Sequence, residues 1–388
     1  MHSHPIVLVH SPELEQYHYP PECPFKAERA GELARLLDRM GLLAGSGRRQ
    51  AAPTAATRSA LEAFHAPRYL DALHAATRGH LDADALFMGL GTADCPIFTG
   101  LYDYASLAAG ATLLAADLIL AGDARVAFNP SGGYHHAFPA RAGGFCYIND
   151  VVLGCLRLAD AGKRVLFLDV DVHHCDGVQH AFYSRADVLT LSLHESGATL
   201  FPGTGSVDEI GTGDGTGYSV NVPLPVDTYD AAYLRAFDAV AMPVIRAFAP
   251  DVIVLELGMD ALAGDPLAHL KLTNNATADV VARVMGFGIP ILATGGGGYH
   301  AENTARGWAL AWRVFCGEEE DDDHAVLGLG GVMLESAEWR GGLRDRVLAP
   351  DARECEAVDA AIDETVNAVK ATVFPLHGLA TLSDTPRV

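Results

Sequence analysis

The sequence predicts an α/β fold of one domain, in which a mostly parallel sheet is flanked by helices in a three-layer sandwich. Two observations support this prediction. Short β-branched or leucine-rich runs alternate with helix-length segments, and these runs are predominantly apolar. Strands buried on both faces and separated by helices are typical of parallel sheets. The 388 residues show no repeat and no long linker, and they are enough to bury a large core.

The predicted elements follow one another from the N-terminus. Strands are expected at residues 7–9, 125–128, 164–170, 188–193, 252–257 and 289–293. Helix-length patterns cover residues 101–120, 231–248 and 276–285. In sheets of this kind, ligands bind at the carboxyl ends of the strands, in the loops that follow. We therefore expect a functional site at that edge.

Composition and charge limit the possible partners. There are 27 Lys and Arg residues against 49 Asp and Glu residues, and the formal net charge of −22 disfavours binding to nucleic acid or anionic membranes. The seven cysteines are scattered and form no CxxC motif, so a disulfide framework is not expected. The N-terminus has no signal-peptide pattern. We expect a soluble, cytoplasmic protein with no nucleic acid or membrane partner, and the sequence leaves its oligomeric state open.

Five loops that follow strands carry polar residues an ordinary core does not need. They read NPSGGYHHAFPARAGGFCYIND, LFLDVDVHHCDG, HESGATLFPGTG, GMDALAGDP and TGGGGYH. Since such loops meet at one edge of a parallel sheet, a single site built from all five is the natural interpretation.

The run DVDVH indicates a metal site. Asp169, Asp171 and His173 alternate, so an extended strand end projects them from one face, and Asp260 can add a ligand from another strand. Two carboxylates and one imidazole leave positions open for water and a carbonyl oxygen, as a catalytic divalent metal requires. The alternative is that the Asp residues of the run DVDVHHCD cap the helix that follows it. This alternative applies best to Asp176, the last residue of the run.

His135 and His136 are adjacent, and they follow two glycines that permit close backbone approach. Adjacent histidines are often surface residues. Here Asp169 and Asp176 can each orient one imidazole, and a histidine backed by a carboxylate can act as a general base. The four glycines before Tyr299 suit a mobile loop that delivers a phenol to a developing oxyanion.

Taken together, the motifs GGYHHA, GFCYIND, DVDVHH, FPGTG and GGGGY resemble the histone deacetylase superfamily in kind and in order. The segments HESGATLFPGTG and LELGMDALAGDPLAHLKLT look most similar to the bacterial acetoin-utilisation branch. The resemblance implies an arginase/deacetylase-like fold in a single domain, residues 1–388, with a motif-bearing core at about residues 20–312. We predict no role for the C-terminal segment at about residues 340–388.

The resemblance also implies a zinc-dependent hydrolase site at the end of a narrow tube. Asp171, His173 and Asp260 match its metal ligands, although two carboxylates and a histidine also suit Fe²⁺. The remaining catalytic assignments form one set. They are His136 backed by Asp176 as the general base, His135 backed by Asp169 as the electrostatic histidine, and Tyr299 as the phenol that holds the oxyanion.

Further positions match the substrate tube and the monovalent cation sites of the family. Gly144, Phe145 and Phe201 match the tube walls, Leu267 the rim, and Asp94 the rim carboxylate that binds substrate backbone amides. A structural K⁺ or Na⁺ is implied at two places. The first is matched by Asp169, Ser192 and the backbones of Asp171, His173 and Leu193, and the second by the backbone carbonyls of Phe182, Arg185, Val188 and Tyr218.

Three positions depart from the usual family pattern. Cys175 stands where glycine is usual, so it would be strained if the backbone there needs a positive φ, and its thiol would make the activity sensitive to oxidation. Met259 stands where smaller residues or Phe are usual, which could alter the pocket. Pro266 replaces an arginine of corepressor-associated members, so regulation by inositol phosphate is not expected.

The expected function is metal-dependent hydrolysis of N-acetyl-lysine, or a related short acyl-lysine, in proteins. An amidohydrolase of acetylated polyamines or other small acylated amines is the first alternative, which the acidic charge favours. A ureohydrolase would need a second carboxylate cluster for a two-metal site, and the sequence indicates none. An acyl-lysine binding module without turnover is the last alternative, although every catalytic position is filled.

Overall fold

A computed structural model describes residues 5–318, 342–348 and 350–380. Eight strands form one sheet in the order β2-β1-β3-β8-β7-β4-β5-β6, and every pairing in it is parallel. The strands are β1 (Ile6–Val9), β2 (Arg48–Ala51), β3 (Val126–Asn129), β4 (Val165–Asp169), β5 (Val188–Glu195), β6 (Ser219–Leu224), β7 (Val252–Glu256) and β8 (Ile291–Thr294). The predicted parallel sheet is therefore confirmed.

Helices cover both faces of the sheet. They are α1 (Arg29–Arg39), α2 (Arg58–Leu61), α3 (Pro67–Ala76), α4 (Ala83–Phe87), α5 (Leu101–Leu120), α6 (Asp150–Asp160), α7 (Asp176–Phe182), α8 (Asp230–Ala236), α9 (Met242–Phe248), α10 (Asn274–Met285), α11 (Ala301–Phe315) and α12 (Ala352–Val373). A π-helical turn, Phe237–Ala241, joins α8 to α9, so the predicted helix at residues 231–248 is one helical stretch with an irregular middle.

The alternation of buried side chains along each strand divides the core into two layers. In β4, Leu166 and Leu168 pack with α1 and α8 to α12, whereas Val165 and Phe167 pack with α5, α6 and α7. Successive side chains of a strand point to opposite faces, so Asp169 shares the α5–α7 face with Val165 and Phe167. The apolar strands thus end in polar residues that emerge at one edge of the sheet.

Two strands, β2 and β6, were missed by the sequence prediction, and both lie at the edges of the sheet. β2 has the sequence RRQA and is half exposed, so no apolar run indicates it. β6 contains Pro223, which weakens a strand prediction because proline cannot donate to a ladder. An edge strand pairs on one side only, which explains why both sequences are tolerated there.

The C-terminal segment that had no predicted role contributes α12. This helix packs beside β6 and buries one apolar stripe, formed by Val358, Ile362, Val366, Val369 and Val373. Thr365 Oγ1 also donates a hydrogen bond to the Pro223 carbonyl of β6 at 3.1 Å. Within the described residues, α5 alone is long and apolar enough to cross a membrane, but two thirds (67%) of its apolar window is buried in the fold.

Candidate active site

The loop after β3 holds His135 and His136, and the start of α6 fixes it. Oδ1 of Asp150 accepts a hydrogen bond from the backbone N–H of Tyr134 at 2.9 Å. Asn149 caps α6 and donates from Nδ2 to the carbonyl of His135 at 3.2 Å. Both residues lie in the motif YIND, yet no role had been predicted for either of them. Their buried bonds hold the two imidazoles in place.

The three predicted metal ligands converge below this loop. Nδ1 of His173 lies 3.0 Å from Oδ2 of Asp260 and 3.2 Å from Oδ1 of Asp171. All three side chains are buried, and one ligand atom from each lies within 4.8 Å of the others. Backbone N–H groups orient the carboxylates, since Val172 donates to Asp260 Oδ1 at 3.0 Å. The structure therefore brings together the ligands that the sequence predicted.

The donor set fits a divalent ion. Burial alone would lower the pKa of His173, but the Asp171 and Asp260 carboxylates outweigh it and raise this pKa to about 10. The Asp171 and Asp260 carboxylates thus stabilise a positive charge next to Nδ1 of His173. Two oxygens and one nitrogen at that point suit Zn²⁺, and also other divalent ions such as Fe²⁺.

The glycine loop before Tyr299 packs tightly against this cluster. The Gly297 N–H donates to Asp171 Oδ2 at 2.6 Å, and a Cβ on Gly297 would overlap Oδ2 of Asp260. Arg29, which is buried and had no predicted role, donates to the carbonyls of Gly298 and Gly296. The glycines are therefore explained by close approach of the backbone to the carboxylates.

Each of the two histidines is backed by its predicted carboxylate. Nδ1 of His136 lies 2.8 Å from Asp176 Oδ1, and Nδ1 of His135 lies 3.0 Å from Asp169 Oδ2. The two Nε2 atoms lie 3.0 Å apart and face the metal cluster, since His136 also contacts the His173 ring edge to face. The His135–Asp169 pair is buried, whereas the buried His136 pairs with a partly exposed Asp176.

The environments of the two histidines push their pKa values in opposite directions. Burial and the neighbouring His135 lower the pKa of His136 to about 4, although Asp176 opposes this shift. Burial also disfavours a charge on His135, but Glu256 and Asp169 outweigh it and raise the pKa of His135 well above its ordinary value. A neutral and a charged histidine side by side are what a base and an electrostatic partner need.

Glu256 is the site residue that the sequence prediction missed. It ends β7, its side chain is fully buried, and its Oε1 lies 3.0 Å from His135 Nδ1. With His135 and Asp169 it forms a second cluster of groups able to hold a cation. This corrects the expectation that the chain has no second carboxylate cluster. The one signal was a glutamate inside the apolar run VIVLEL.

Tyr299 stands over the metal cluster. Its ring meets the His173 ring edge to face at a centroid distance of 6.3 Å. Its backbone N–H donates to Asp265 Oδ2 at 2.8 Å, and Oδ1 of the same carboxylate accepts from the Leu267 N–H at 3.0 Å. Burial and the Asp260 and Asp171 carboxylates raise the pKa of Tyr299 well above its ordinary value. The phenol therefore stays protonated and can donate a hydrogen bond.

The predicted tube residues surround the approach to the cluster. Phe201 packs edge to face on His136 at 4.9 Å, and Phe145 packs on Tyr299 at 5.8 Å. Gly144 has a φ of 54°, and a Cβ there would overlap the His136 ring. Oδ2 of the exposed Asp94 accepts from the Gly144 N–H at 2.7 Å, which ties the rim carboxylate to the tube wall.

Two cavities adjoin the histidines. A groove of about 460 Å³ lies beside Phe201 and reaches Asp94, His136 and Asp176, with Arg141 and Glu209 also in its lining. The cavity at the metal cluster, between His173 and Tyr299, has only about 10 Å³, which is room for about one water-sized group. The approach is therefore open outside and narrow at its end.

The residues matched to monovalent cation sites are also located. Asp169 and Ser192 are register partners on β4 and β5, next to the backbone of residues 171–173. In the second set, the Phe182 carbonyl accepts from the Arg185 N–H and the Tyr218 carbonyl from the Thr190 N–H, both at 2.9 Å. Val188 begins β5, and Leu193 lies within it. These sites stay predictions.

The departures from the family pattern leave the site intact. Cys175 has a φ of −76°, so its backbone is not strained. Burial and Asp169 raise the pKa of the Cys175 thiol, which makes it unreactive and argues against the expected sensitivity to oxidation. Met259 is buried, with its sulfur against Gly307 of α11 rather than in the tube. Pro266 is exposed beside the rim.

Comparison with known proteins supports this geometry. A model of the histone deacetylase domain matches residues 23–315. The chain is 42% identical to histone deacetylase 8 of Xenopus tropicalis over 301 residues, which cover 76% of this chain and 81% of the relative. It is 40% identical to the acetoin utilization protein AcuC of Bacillus subtilis over 314 residues, which cover 79% of this chain and 81% of that relative.

Solved structures show the same fold. The crystal structure of a histone deacetylase homologue from Aquifex aeolicus superposes with a TM-score of 0.83 at 33% identity, covering 94% of this chain and all of that one (100%). A histone deacetylase homologue complexed with SAHA superposes with a TM-score of 0.82 at 34% identity. The arginase/deacetylase-like fold and the predicted likeness to the acetoin-utilisation branch are therefore confirmed. The chain belongs to the histone deacetylase family and is a deacetylase of the hydrolase class.

Proposed function

We propose that this deacetylase hydrolyses the amide of N-acetyl-lysine in polypeptides, releasing acetate and the free lysine side chain. The observation that supports this substrate is the open rim. Phe201 is 47% exposed at the mouth of the tube, and Asp94 and the groove of about 460 Å³ lie beside it. A thin apolar side chain suits two aromatic walls, and a polypeptide backbone needs an open rim with an acceptor such as Asp94.

The site residues divide the chemistry among them. Asp171, His173 and Asp260 would hold a divalent ion, for which we propose Zn²⁺ with Fe²⁺ as the alternative. Such an ion supplies Lewis acidity to the acyl carbonyl and lowers the pKa of water. We further propose a structural K⁺ or Na⁺ at the sites matched by Asp169 and by Tyr218, and a cytoplasmic location.

The proton transfers fall to the histidines and the phenol. His136 is neutral at physiological pH, so it can take a proton from the attacking water and return it to the leaving amine. Tyr299 donates a hydrogen bond to the oxyanion that forms when the water adds to the carbonyl. His135 carries a positive charge beside His136, which stabilises the same negative charge.

Acetylated polyamines are the second candidate substrate. The net charge of −22 attracts cations, and the groove beside Phe201 contains Asp94, Asp176 and Glu209 against Arg141 as its one arginine. A small amine substrate would leave the rim unused. The two candidates therefore differ in whether Asp94 contributes to binding.

Turnover of a substrate panel tests the proposal. Metal-stripped enzyme is reloaded with Zn²⁺ or Fe²⁺ and given acetyl-lysine peptide, butyryl-lysine peptide and acetylspermidine. We expect metal-dependent release of acetate from the peptide. Because the cavity at the cluster holds about one water-sized group, we also expect turnover to fall about tenfold or more for the longer acyl chain.

The variant Asp94→Asn separates the two substrates. It removes the rim charge, so it should raise KM for the peptide and leave KM for acetylspermidine unchanged. Turnover confined to acetylspermidine would reject the polypeptide substrate. Absence of metal-dependent turnover on every amide would reject the proposed chemistry as a whole.

A further inference from the structure

Arg141 is an exposed arginine in the lining of the groove beside the substrate tube. Its guanidinium lies over the ring of Phe138, with Cζ 4.5 Å from the ring centroid, and no carboxylate of the described residues pairs with it. The chain has 49 acidic residues against 27 basic ones, so acidic partners are abundant. The guanidinium of Arg141 is nevertheless left free to bind a ligand.

The backbone around Arg141 holds this arginine at the groove. The Phe138 N–H donates to the Arg141 carbonyl at 2.9 Å and closes a tight turn, and the next residue, Ala142, donates to the Met88 carbonyl at 2.9 Å. The Phe138 ring packs in turn on the His180 ring of α7, at a centroid distance of 5.1 Å. A guanidinium that stacks on an aromatic face keeps its N–H groups available for a carboxylate. The arginine is therefore oriented before any ligand binds.

Two further donors lie on the same wall of the groove. His180 and Tyr183 are three residues apart at the end of α7, and both line the groove together with Arg141. In the described part of the chain, neither the imidazole of His180 nor the hydroxyl of Tyr183 has a hydrogen-bond partner. A guanidinium, an imidazole and a phenol can all donate to one anion. This wall therefore presents unused donors to the groove.

The three carboxylates of the groove already have donors of their own. Asp94 accepts from the Gly144 N–H at 2.7 Å, Asp176 from the Gly177 N–H at 2.9 Å, and Glu209 from the Gly205 and Ser206 N–H groups at 2.9 and 3.0 Å and from Gln179 Nε2 at 2.6 Å. These bonds stabilise the negative charges within the protein. The charged group of the groove that still needs a partner is therefore the cation.

We propose that Arg141 is a specificity-determining residue that binds the carboxylate of an acidic residue close to the acetyl-lysine in the substrate. Phe201 and Asp94 belong both to the tube rim and to the groove, so a neighbouring residue of the polypeptide can enter the groove while the acetyl-lysine side chain occupies the tube. His180 and Tyr183 add hydrogen bonds to the same carboxylate. The inference rests on the polypeptide substrate proposed above, since acetylated polyamines carry no carboxylate.

A series of acetyl-lysine peptides with blocked termini tests the inference, because a side chain then supplies the only carboxylate. Glu, Gln or Lys is placed in turn at each of the two positions before and after the acetyl-lysine, and kcat/KM is measured with metal-loaded enzyme. At one or more of these positions we expect kcat/KM to be about fivefold higher for the Glu peptide than for the Gln peptide, mainly through a lower KM. This preference should shrink at high salt, which screens the ion pair.

Two variants of Arg141 and one control assign the preference to this residue. Arg141→Gln should bring the ratio of kcat/KM for the Glu and Gln peptides to about one, and Arg141→Glu should reverse the preference in favour of the Lys peptide. A reversed preference requires folded, active enzyme, so a folding defect cannot produce it. Arg78→Gln is the matched control, because Arg78 is an exposed arginine beyond the end of α3 and outside the groove lining. This control removes the same charge from the chain and should keep the preference for Glu.

Three results would overturn the inference. The first is equal kcat/KM for the Glu and Gln peptides at every position in the parent enzyme. The second is a preference for Glu that survives in Arg141→Gln, and the third is an equal loss of the preference in Arg78→Gln, since the overall charge would then explain it. The proposed function would stand in all three cases, because acetate is still released from the Gln peptide. Absence of acetate release from every peptide would instead reject the polypeptide substrate, and this inference with it.

Discussion

The Nε2 atoms of His135 and His136 lie 3.0 Å apart, yet the two rings are in opposite electrostatic environments. His135 has two carboxylates at its Nδ1, whereas His136 has one, and His136 also faces the positive charge of its neighbour. The adjacent residues His135 and His136 therefore differ in protonation state. This difference supports the proposed role of His136 as the base and leads to the first prediction.

Activity should depend on the neutral form of His136. Because the pKa of His136 is lowered to about 4, the base form is present above that pH, and kcat/KM should fall as the pH drops through about 4 rather than through 6.5. His136→Ala should lower kcat about 10²–10⁴-fold. A pH–rate profile of the metal-loaded enzyme checks both statements, and an acid limb at pH 6.5 or above would contradict the assignment. Asp176→Asn should move the limb to lower pH, since Asp176 favours the protonated ring.

Tyr299→Phe should lower kcat about a hundredfold or more and leave the fold intact, because it removes one donor to the oxyanion. The backbone bond from residue 299 to Asp265 does not involve the phenol, so the loop should keep its position. Steady-state kinetics and thermal unfolding of the variant provide the measurement. If the rate is unchanged while the variant remains folded, the phenol is not the oxyanion donor.

Gly297→Ala should weaken binding of the divalent ion about tenfold or more, because a Cβ would overlap Oδ2 of Asp260 and disturb the N–H bond to Asp171. Titration of metal-free enzyme, followed by calorimetry, measures the affinity. Gly286→Ala is the matched control, since Gly286 is exposed with a φ of −61° that alanine adopts freely. Equal affinities in the two variants would show that the glycine loop does not shape the metal site.

Ile362→Ala should lower the free energy of unfolding by about 2–5 kcal/mol, because this fully buried side chain of α12 packs into the sheet-side core. Its kcat should not change, since α12 lies on the β6 side and contributes no residue to the site. Glu364→Ala on the exposed face of the same helix should stay within about 0.5 kcal/mol of the parent. Denaturant unfolding of both variants decides whether α12 is part of the folded core.

Much of the site could be predicted from the sequence because its residues are concentrated at strand ends. Asp171, His173 and Asp260 lie in loops that follow buried strands, and parallel strands bring their carboxyl ends to one edge. The same argument located His135 and His136. It could not find Arg29, whose side chain reaches the glycine loop from a helix far away in the sequence. An arginine at the start of an amphipathic helix is usually exposed, and nothing in the neighbouring sequence indicates that Arg29 binds the carbonyls of the glycine loop.

The sequence by itself determined the fold class, the edge of the sheet that carries the site and the chemical types of its ligands, because periodicity and motif order are local properties of the chain. The tertiary structure decided which carboxylates surround each histidine. The register between β4 and β7 puts Glu256 beside Asp169, and that alignment depends on packing of the whole sheet. The pKa order of His135 and His136 follows from this packing, since electrostatic interactions depend on distances in space rather than on spacing along the chain.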